Sequence, residues 1–243
     1  MKTSIKILIA GVCLVLGVLV WYDLHVRGAY KSGSYKQLFG GFTTLNFKEF
    51  DEIDVNACTA ANVIVKQGAF NIQVDPTASF VKVSRKGNAL QINAVYPNTY
   101  YTPRNAYVLV ITCPQLKKIA VDSRYTAGGR PVQDTLASEN FDWRPSIIEG
   151  FNADSLSIVE RYAGAVILKG NTLKTLNATL GIGDKSRSNM IILADNQLGS
   201  VNLDIRNRSQ LRLQCKNIQN FKYQLADSAR LIVNGAVGQL LKR

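Results

Sequence analysis

A single histidine, His25, occurs in the 243 residues, and it stands beside an apolar N-terminal stretch. The rest of the chain has no imidazole. That absence excludes Ser-His-Asp and Cys-His catalysis, and most zinc sites, in one step. His25 itself reads as a solvated residue at a membrane interface. The cysteines, Cys13, Cys58, Cys113 and Cys215, form no C-x-x-C pair, so a thioredoxin-like or cysteine-metal centre has no basis. Cys58, Cys113 and Cys215 fall on expected strands and read as small buried hydrophobes. A disulfide between two of them is compatible with an oxidising compartment. Gly181-Ile-Gly183-Asp-Lys-Ser186 lacks the spacing of a phosphate loop, and no helix follows it, so it reads as a corner loop. No cofactor, metal or catalytic residue is assigned.

What is present is repetition. Val201-Asn-Leu-Asp-Ile205 recurs as Phe221-Lys-Tyr-Gln-Leu225, and Leu211-Arg-Leu213 as Leu231-Ile-Val233, both at an offset of 20. Leu176 precedes Val201 by 25, while Leu193 and Leu198 precede Leu213 and Ile218 by 20. Leu156, Leu168 and Leu173 stand one copy further upstream. Alternation along a strand puts Val201, Leu203 and Ile205 on one face and Asn202, Asp204 and Arg206 on the other. A unit of about 20 residues cannot bury its apolar face alone, but stacked copies can. The pattern predicts an all-β solenoid of stacked rungs over 47–243. The landmark Asn/Cys and the helix of leucine-rich repeats are missing, which leaves an antiparallel meander as the competing fold. The second rung carries about five extra residues around Gly181–Ser188, expected as a corner insertion. Glu160 falls where an apolar residue belongs, so a bulge or register shift is expected there.

The N-terminus reads differently. Lys2 and Lys6 precede a run from Ile7 to Tyr22 without charge. Residues 5–22 are just long enough, as a helix, to cross a bilayer. Trp21 and Tyr22 suit its interface. The flank Asp23-Leu-His-Val-Arg-Gly-Ala29 offers no good small-x-small cleavage site, which predicts an uncleaved signal anchor over 1–27. Lys2 and Lys6 favour an inside N-terminus, but Arg27, Lys31 and Lys36 blunt that bias. Residues 28–46 read as a juxtamembrane linker. Alternating segments follow, including Val63–Gln67, Phe70–Val74 and a hairpin turn at Gly87-Asn88. Residues 122–155 read as an irregular excursion with edge strands.

The order Phe50…Ile53-x-Val55, Val63-x-Val65-Lys-Gln-Gly68, then Val108-x-Val110-x-x-x-Pro114-x-Leu116-x-x-Ile119, resembles the auto-transporter adhesin head, or GIN, domain family. That family is a bacterial domain of unknown function, common in Bacteroidetes-type bacteria. The resemblance covers roughly residues 47–240 and departs in 122–155 and in the anchor. It implies a right-handed β-helix-like fold, an envelope location and no established catalytic residue.

The formal net charge is +12. The excess sits in 151–243, with 13 basic against 6 acidic residues. Arg206, Arg208, Arg212 and Arg230 are the candidate binding residues, for acidic polysaccharide or anionic lipid head groups. No recognition helix, zinc finger or RNP-type aromatic motif accompanies this charge, which excludes nucleic acid as its partner. The expectation is a non-enzymatic, membrane-tethered envelope protein, adhesin-like, with its β domain extracytoplasmic. Two alternatives stand beside it. One is a polysaccharide-active enzyme using Asp184, Asp204 and Asp227 as its acids. The other is a structural scaffold or signalling ectodomain.

Overall fold

The computed structural model describes residues 3–33, 39–97, 107–135, 145–235 and 237–238. Lys2, Lys36, Leu240 and the middle of the 122–155 segment lie outside these residues. The chain divides into two compact units, Met1–Phe42 and Thr43–Arg243.

The first unit is built on one helix, α1 (Thr3–Ser32). Its Val and Ile residues are indifferent helix formers in water. In hydrocarbon a helix is favoured regardless, because it satisfies every backbone group internally. The stretch Thr3–Gly28 is long and apolar enough to cross a membrane. The helix runs ten residues past Tyr22, through the charged flank, to Ser32. His25 is exposed, with Nδ1 3.2 Å from the Trp21 carbonyl and its ring 4.3 Å from the indole.

The second unit is mostly β. In chain order its strands are β1 (Thr43–Leu45), β2 (Glu52–Val55), β3 (Val63–Gln67), β4 (Asn71–Val74), β5 (Val81–Lys86), β6 (Ala89–Tyr96) and β7 (Leu109–Cys113). There follow β8 (Lys118–Val121), β9 (Arg124–Ala127), β10 (Arg130–Gln133), β11 (Ser146–Glu149), β12 (Asn152–Glu160) and β13 (Ala165–Lys169). The last six are β14 (Thr172–Leu180), β15 (Asn189–Ile192), β16 (Gln197–Ile205), β17 (Gln210–Leu213), β18 (Ile218–Leu225) and β19 (Arg230–Val233). The expected linker therefore contains the end of α1 and all of β1. The expected excursion supplies β9 and β10, at a sheet edge, but also β11, in the middle of a sheet.

The strands form two large sheets. One runs β1-β4-β7-β3-β11-β13-β15-β17-β19, the other β10-β9-β6-β2-β8-β12-β14-β16-β18, with β5 added on β6. From β11 onward each successive strand joins the opposite sheet, and every neighbouring pair is parallel. An antiparallel meander is thereby ruled out for 146–233. Antiparallel pairing is confined to the earlier part of the unit, as in the β5–β6 hairpin through Gly87. There a left-handed backbone (φ 63°) suits glycine.

The register follows the sequence offsets. Leu156, Leu176, Val201 and Phe221 align at steps of 20, 25 and 20. One offset differs. Leu211 and Leu213 pair with Met190 and Ile192, a step of 21, and Leu193 stands just beyond β15. The apolar residues of both sheets, Ile119, Leu176, Val201, Ile192 and Leu213 among them, form one buried cluster. Leu203, Ile205 and Leu211 are buried as expected, whereas Leu225 on the last rung is 42% exposed.

Two features were not anticipated. The ladders pass over Asp154, Lys174, Gly199 and Gln219, one residue in each of four stacked strands. This aligned break shifts the alternation by one, which is why the buried leucines Leu173 and Leu176 stand three apart. At a corner, Asn171 and Asn196 stack 25 residues apart, both fully buried. The Asn196 carboxamide donates to the Leu168 and Leu193 carbonyls at 2.9 and 2.8 Å. Its oxygen accepts from the Asn171 backbone N–H at 2.9 Å. Asn171 in turn donates to Ile148 and accepts from the Phe151 N–H, both at 3.0 Å. Side chains here satisfy the backbone groups that a tight corner leaves unpaired.

Candidate functional site

The four arginines singled out by the sequence do not form one strip. Arg206 follows β16 and is exposed; its Nε and Nη2 donate to Asp204 Oδ2 at 2.8 and 2.5 Å. This pairing raises the Arg206 pKa, through the hydrogen bond first and the carboxylate charge second. Arg212 lies within β17, between Ile191 and Ile232 of the neighbouring strands, and is half-buried. Arg230 opens β19 opposite Gln210, in the same sheet. Arg208 is exposed in the corner between β16 and β17. Arg206 and Arg208 thus share a corner, while Arg212 and Arg230 belong to the other sheet.

That corner is closely built. Gly181 has φ +76°, and a Cβ there would fall 2.6 Å from the Arg206 carbonyl oxygen and onto the Ser209 hydroxyl. Lys185 and Asn207 also adopt left-handed backbones, at φ 60° and 54°. The Asn207 carboxamide donates to the Gly181 and Gly183 carbonyls at 2.7 and 3.0 Å. Backbone bonds from Arg208 N to Ser186 O (3.2 Å) and from Gln210 N to Ser188 O (2.9 Å) tie the two corner turns together. The Ser188 N–H donates to Ser209 Oγ at 3.0 Å. Beside these turns opens a cleft of about 550 Å³, lined by Thr135, Asp184, Lys185, Arg187, Asn207, Arg208 and Ser228.

Some cations elsewhere on the unit are paired, whereas Lys86, Arg130, Arg161, Lys216 and Lys222, like the cations of this cleft, are in no ion pair among the described residues. Lys66 and Lys169 both reach Glu149, at 2.7 and 3.5 Å. Lys117 pairs with Asp51, Lys118 with Glu52, Arg124 with Asp122 and Lys174 with Asp154. Among the described residues, no carboxylate lies within 4 Å of the Lys185, Arg187 or Arg208 charge.

Two other clefts are of different character. A groove of about 670 Å³ crosses the ends of β12, β14, β16 and β18, with Asn152, Thr172, Gln197, Ser200 and Asn217 in its wall and no carboxylate. A smaller one, about 320 Å³, holds Phe50 and Phe70 with Glu49 and Asp51. Both of those acids are engaged, Glu49 by Arg85 at 3.4 Å and Asp51 by Lys117 at 2.5 Å. The Lys117 and Asn88 hydrogen bonds hold the Asp51 pKa below the ordinary range, which suits a paired anion and not a proton donor. Of the acids considered for sugar chemistry, Asp184 lines the basic cleft, Asp204 is bound to Arg206, and Asp227 sits exposed after β18.

No family model matches the chain, and no curated protein matches it. Solved structures similar to it include three of candidate adhesins. That from Bacteroides fragilis is 14% identical with TM-score 0.45, covering 79% of this chain and 96% of its own. Those from Parabacteroides merdae and Parabacteroides distasonis are each 10% identical, with TM-scores 0.33 and 0.34. They cover 79% and 80% of this chain, and 92% and 94% of their own.

One further group stands out in the interior. Glu160 keeps its place in the ladder, paired with Val121 and Leu180, and points inward fully buried. The expected bulge is absent. Room for the carboxyl comes instead from Gly164, where a Cβ would lie 2.5 Å from Glu160 Oε2. The Ser188 hydroxyl lies beside the carboxyl but spends its hydrogen on the Tyr162 carbonyl at 2.6 Å. No hydrogen bond reaches either carboxyl oxygen among the described residues. Burial therefore raises the Glu160 pKa well above the ordinary value and favours its neutral form. Cys58 is raised as well, by burial first and by neighbouring acids second. Cys58, Cys113 and Cys215 are free and buried.

Sequence reasoning missed Lys185 and Arg187 as site residues. The available signal was the offset of 21 between Arg187 and Arg208, the same step that relates β15 to β17.

Proposed function

We propose that this chain is a non-enzymatic, membrane-tethered protein of the bacterial envelope. In this reading 1–27 is an uncleaved anchor, 28–46 a juxtamembrane linker, and 47–243 a right-handed β-solenoid of the GIN type that binds anionic ligands outside the cytoplasm. One observation carries it. An exposed apolar helix able to span a bilayer precedes, in the chain, a β unit of stacked parallel strands with a corner cleft that carries Lys185, Arg187 and Arg208. Strands that alternate between two sheets at near-constant offsets support the solenoid. Apolar side chains along the helix find in hydrocarbon the burial they lack in the chain. The experiment is a carbonate wash of native membranes, followed by mass spectrometry of the retained protein. The expected result is retention with residues N-terminal to Gly28 intact. A mature N-terminus near residues 28–32, or release into the wash, overturns the anchor.

A further inference from the structure

We propose that the corner cleft bearing Lys185, Arg187 and Arg208 is a binding site for the carboxylate of an acidic sugar in a surface glycan. The proposal rests on the reading of the β unit as a binding protein and gives that reading a place and a ligand class.

Three observations converge on the cleft. First, it gathers three cations against one acid, Asp184. Eight cations of the β unit, Arg206 included, sit within 4 Å of a carboxylate, whereas among the described residues no carboxylate lies so near Lys185, Arg187 or Arg208. Parallel neighbours in a sheet stand ~5 Å apart. Arg187 and Arg208, one step of 21 apart in sequence, therefore project from adjacent turns with like charge. An anion placed between them relieves that repulsion. Two guanidinium forks suit a carboxylate, which each can grip through two parallel hydrogen bonds.

Second, the floor is fixed before any ligand arrives. Gly181 admits no side chain, the Asn207 carboxamide clamps the Gly181 and Gly183 carbonyls, and Ser209 Oγ accepts from Ser188 N–H. From the far side the Tyr162 ring packs on Gly183, where a Cβ would overlap it. A preformed site loses little conformational entropy on binding.

Third, the remaining lining argues for a sugar over a bare anion or a bilayer. Asp184 lines the same cleft as the cations. It disfavours a lone phosphate but can accept hydrogen bonds from ring hydroxyls. The Thr135 and Ser228 hydroxyls add uncharged partners. A concave cleft of about 550 Å³ admits a sugar unit but not a flat lipid surface.

The test uses the full chain in neutral detergent micelles, titrated calorimetrically with oligogalacturonate at low ionic strength. Inorganic phosphate and phosphatidylglycerol vesicles form parallel arms, with neutral dextran as blank. Oligogalacturonate should bind, and binding should weaken as salt screens it. Replacing both arginines (Arg187→Gln with Arg208→Gln) should weaken it about tenfold or more, since charge-assisted bonds are lost. Arg206→Gln should change it less than about twofold, because Asp204 already occupies that charge. Should the double variant melt early, Lys185→Gln and Arg208→Gln singly carry the test, each expected to weaken binding about threefold or more. The site is overturned if oligogalacturonate fails to bind, if the cleft variants bind like wild type, or if Arg206→Gln weakens binding as much as they do. Equal or tighter binding of phosphate or vesicles overturns the sugar assignment. None of these outcomes alters the carbonate-wash result, so the two readings fail separately.

Discussion

At the scale of single residues, Glu160 shows how burial decides chemistry. Its folded pKa is raised above the ordinary value of 4.5 by desolvation. Above about pH 4.5 the unfolded chain therefore binds fewer protons than the folded one, and stability falls as pH rises. The contribution is fully present below that value and shrinks by about 1.4 kcal/mol per pH unit above it, until the folded group ionises. The neighbouring Cys58 thiol feels Glu160, Asp122 and Asp134, and none of these is cationic. Glu160→Gln should remove the slope, so urea melts at rising pH from about pH 5 should show wild type losing stability relative to the variant until the folded carboxyl ionises. Parallel curves would mean that the carboxyl reaches water. A second pair of substitutions checks the alternation. Leu213 is fully buried, so Leu213→Ala should cost about 2–5 kcal/mol. Arg212→Ala, on the outer face of the same strand, should cost on the order of 0.5 kcal/mol. Comparable losses would contradict the orientation of β17.

Individual strands owe their shape to the aligned break in the ladders. Gly199 sits where its strand approaches β14 so closely that a Cβ would lie 2.5 Å from the Lys174 carbonyl oxygen. A backbone atom cannot move aside as a flexible side chain can. Gly199→Ala should therefore lower the melting temperature by several degrees, on the scale of ~1–3 kcal/mol for an overpacked interior. An unchanged melting temperature would show that the bend yields. The stacked asparagines make a comparable demand. Asn196→Ala would strip partners from the Asn171 N–H and from the Leu168 and Leu193 carbonyls, all at a buried corner. The two carbonyls keep backbone donors in the Leu193 and Asn196 N–H, so the Asn171 N–H is the group left orphaned, and a loss of about 1–3 kcal/mol is expected in urea melts. Asn171 and Asn196 were visible in the sequence at the 25-residue offset. Their role was not, because a corner asparagine and a solvated one look alike until the backbone groups around them are placed.

Over 146–233 the strands of each sheet stack in parallel, and on the proposed solenoid reading stability should be graded along that stack. Interior strands are covered by rungs on both sides. The last rung is less so: Tyr223, Leu225 and Ile232 are exposed, at 43%, 42% and 40%. Amide hydrogen exchange should be faster in β18 and β19 than in β14 and β16, since local opening costs least where burial is poorest. Uniform protection from β14 to β19 would mean that another surface covers the terminal rung. The anchor belongs to this scale as well, and the carbonate wash tests it.

The sequence by itself determined whatever repeats locally. The inward positions of Leu203, Ile205, Leu211 and Leu213 follow from a two-residue period, and the rung offsets follow from aligning those periods. The apolar N-terminal helix follows from composition alone. Tertiary structure decided what depends on neighbours distant in the chain. Pairing of β3 with both β7 and β11 is dictated by packing across long separations, not by any local pattern. Glu160 points inward because Gly164 leaves it room, not because its own strand shifts. Arg206 is paired with Asp204, while among the described residues no carboxylate lies within 4 Å of Arg187 or Lys185, because charge compensation is set by distances of a few ångströms, which the order of residues does not specify.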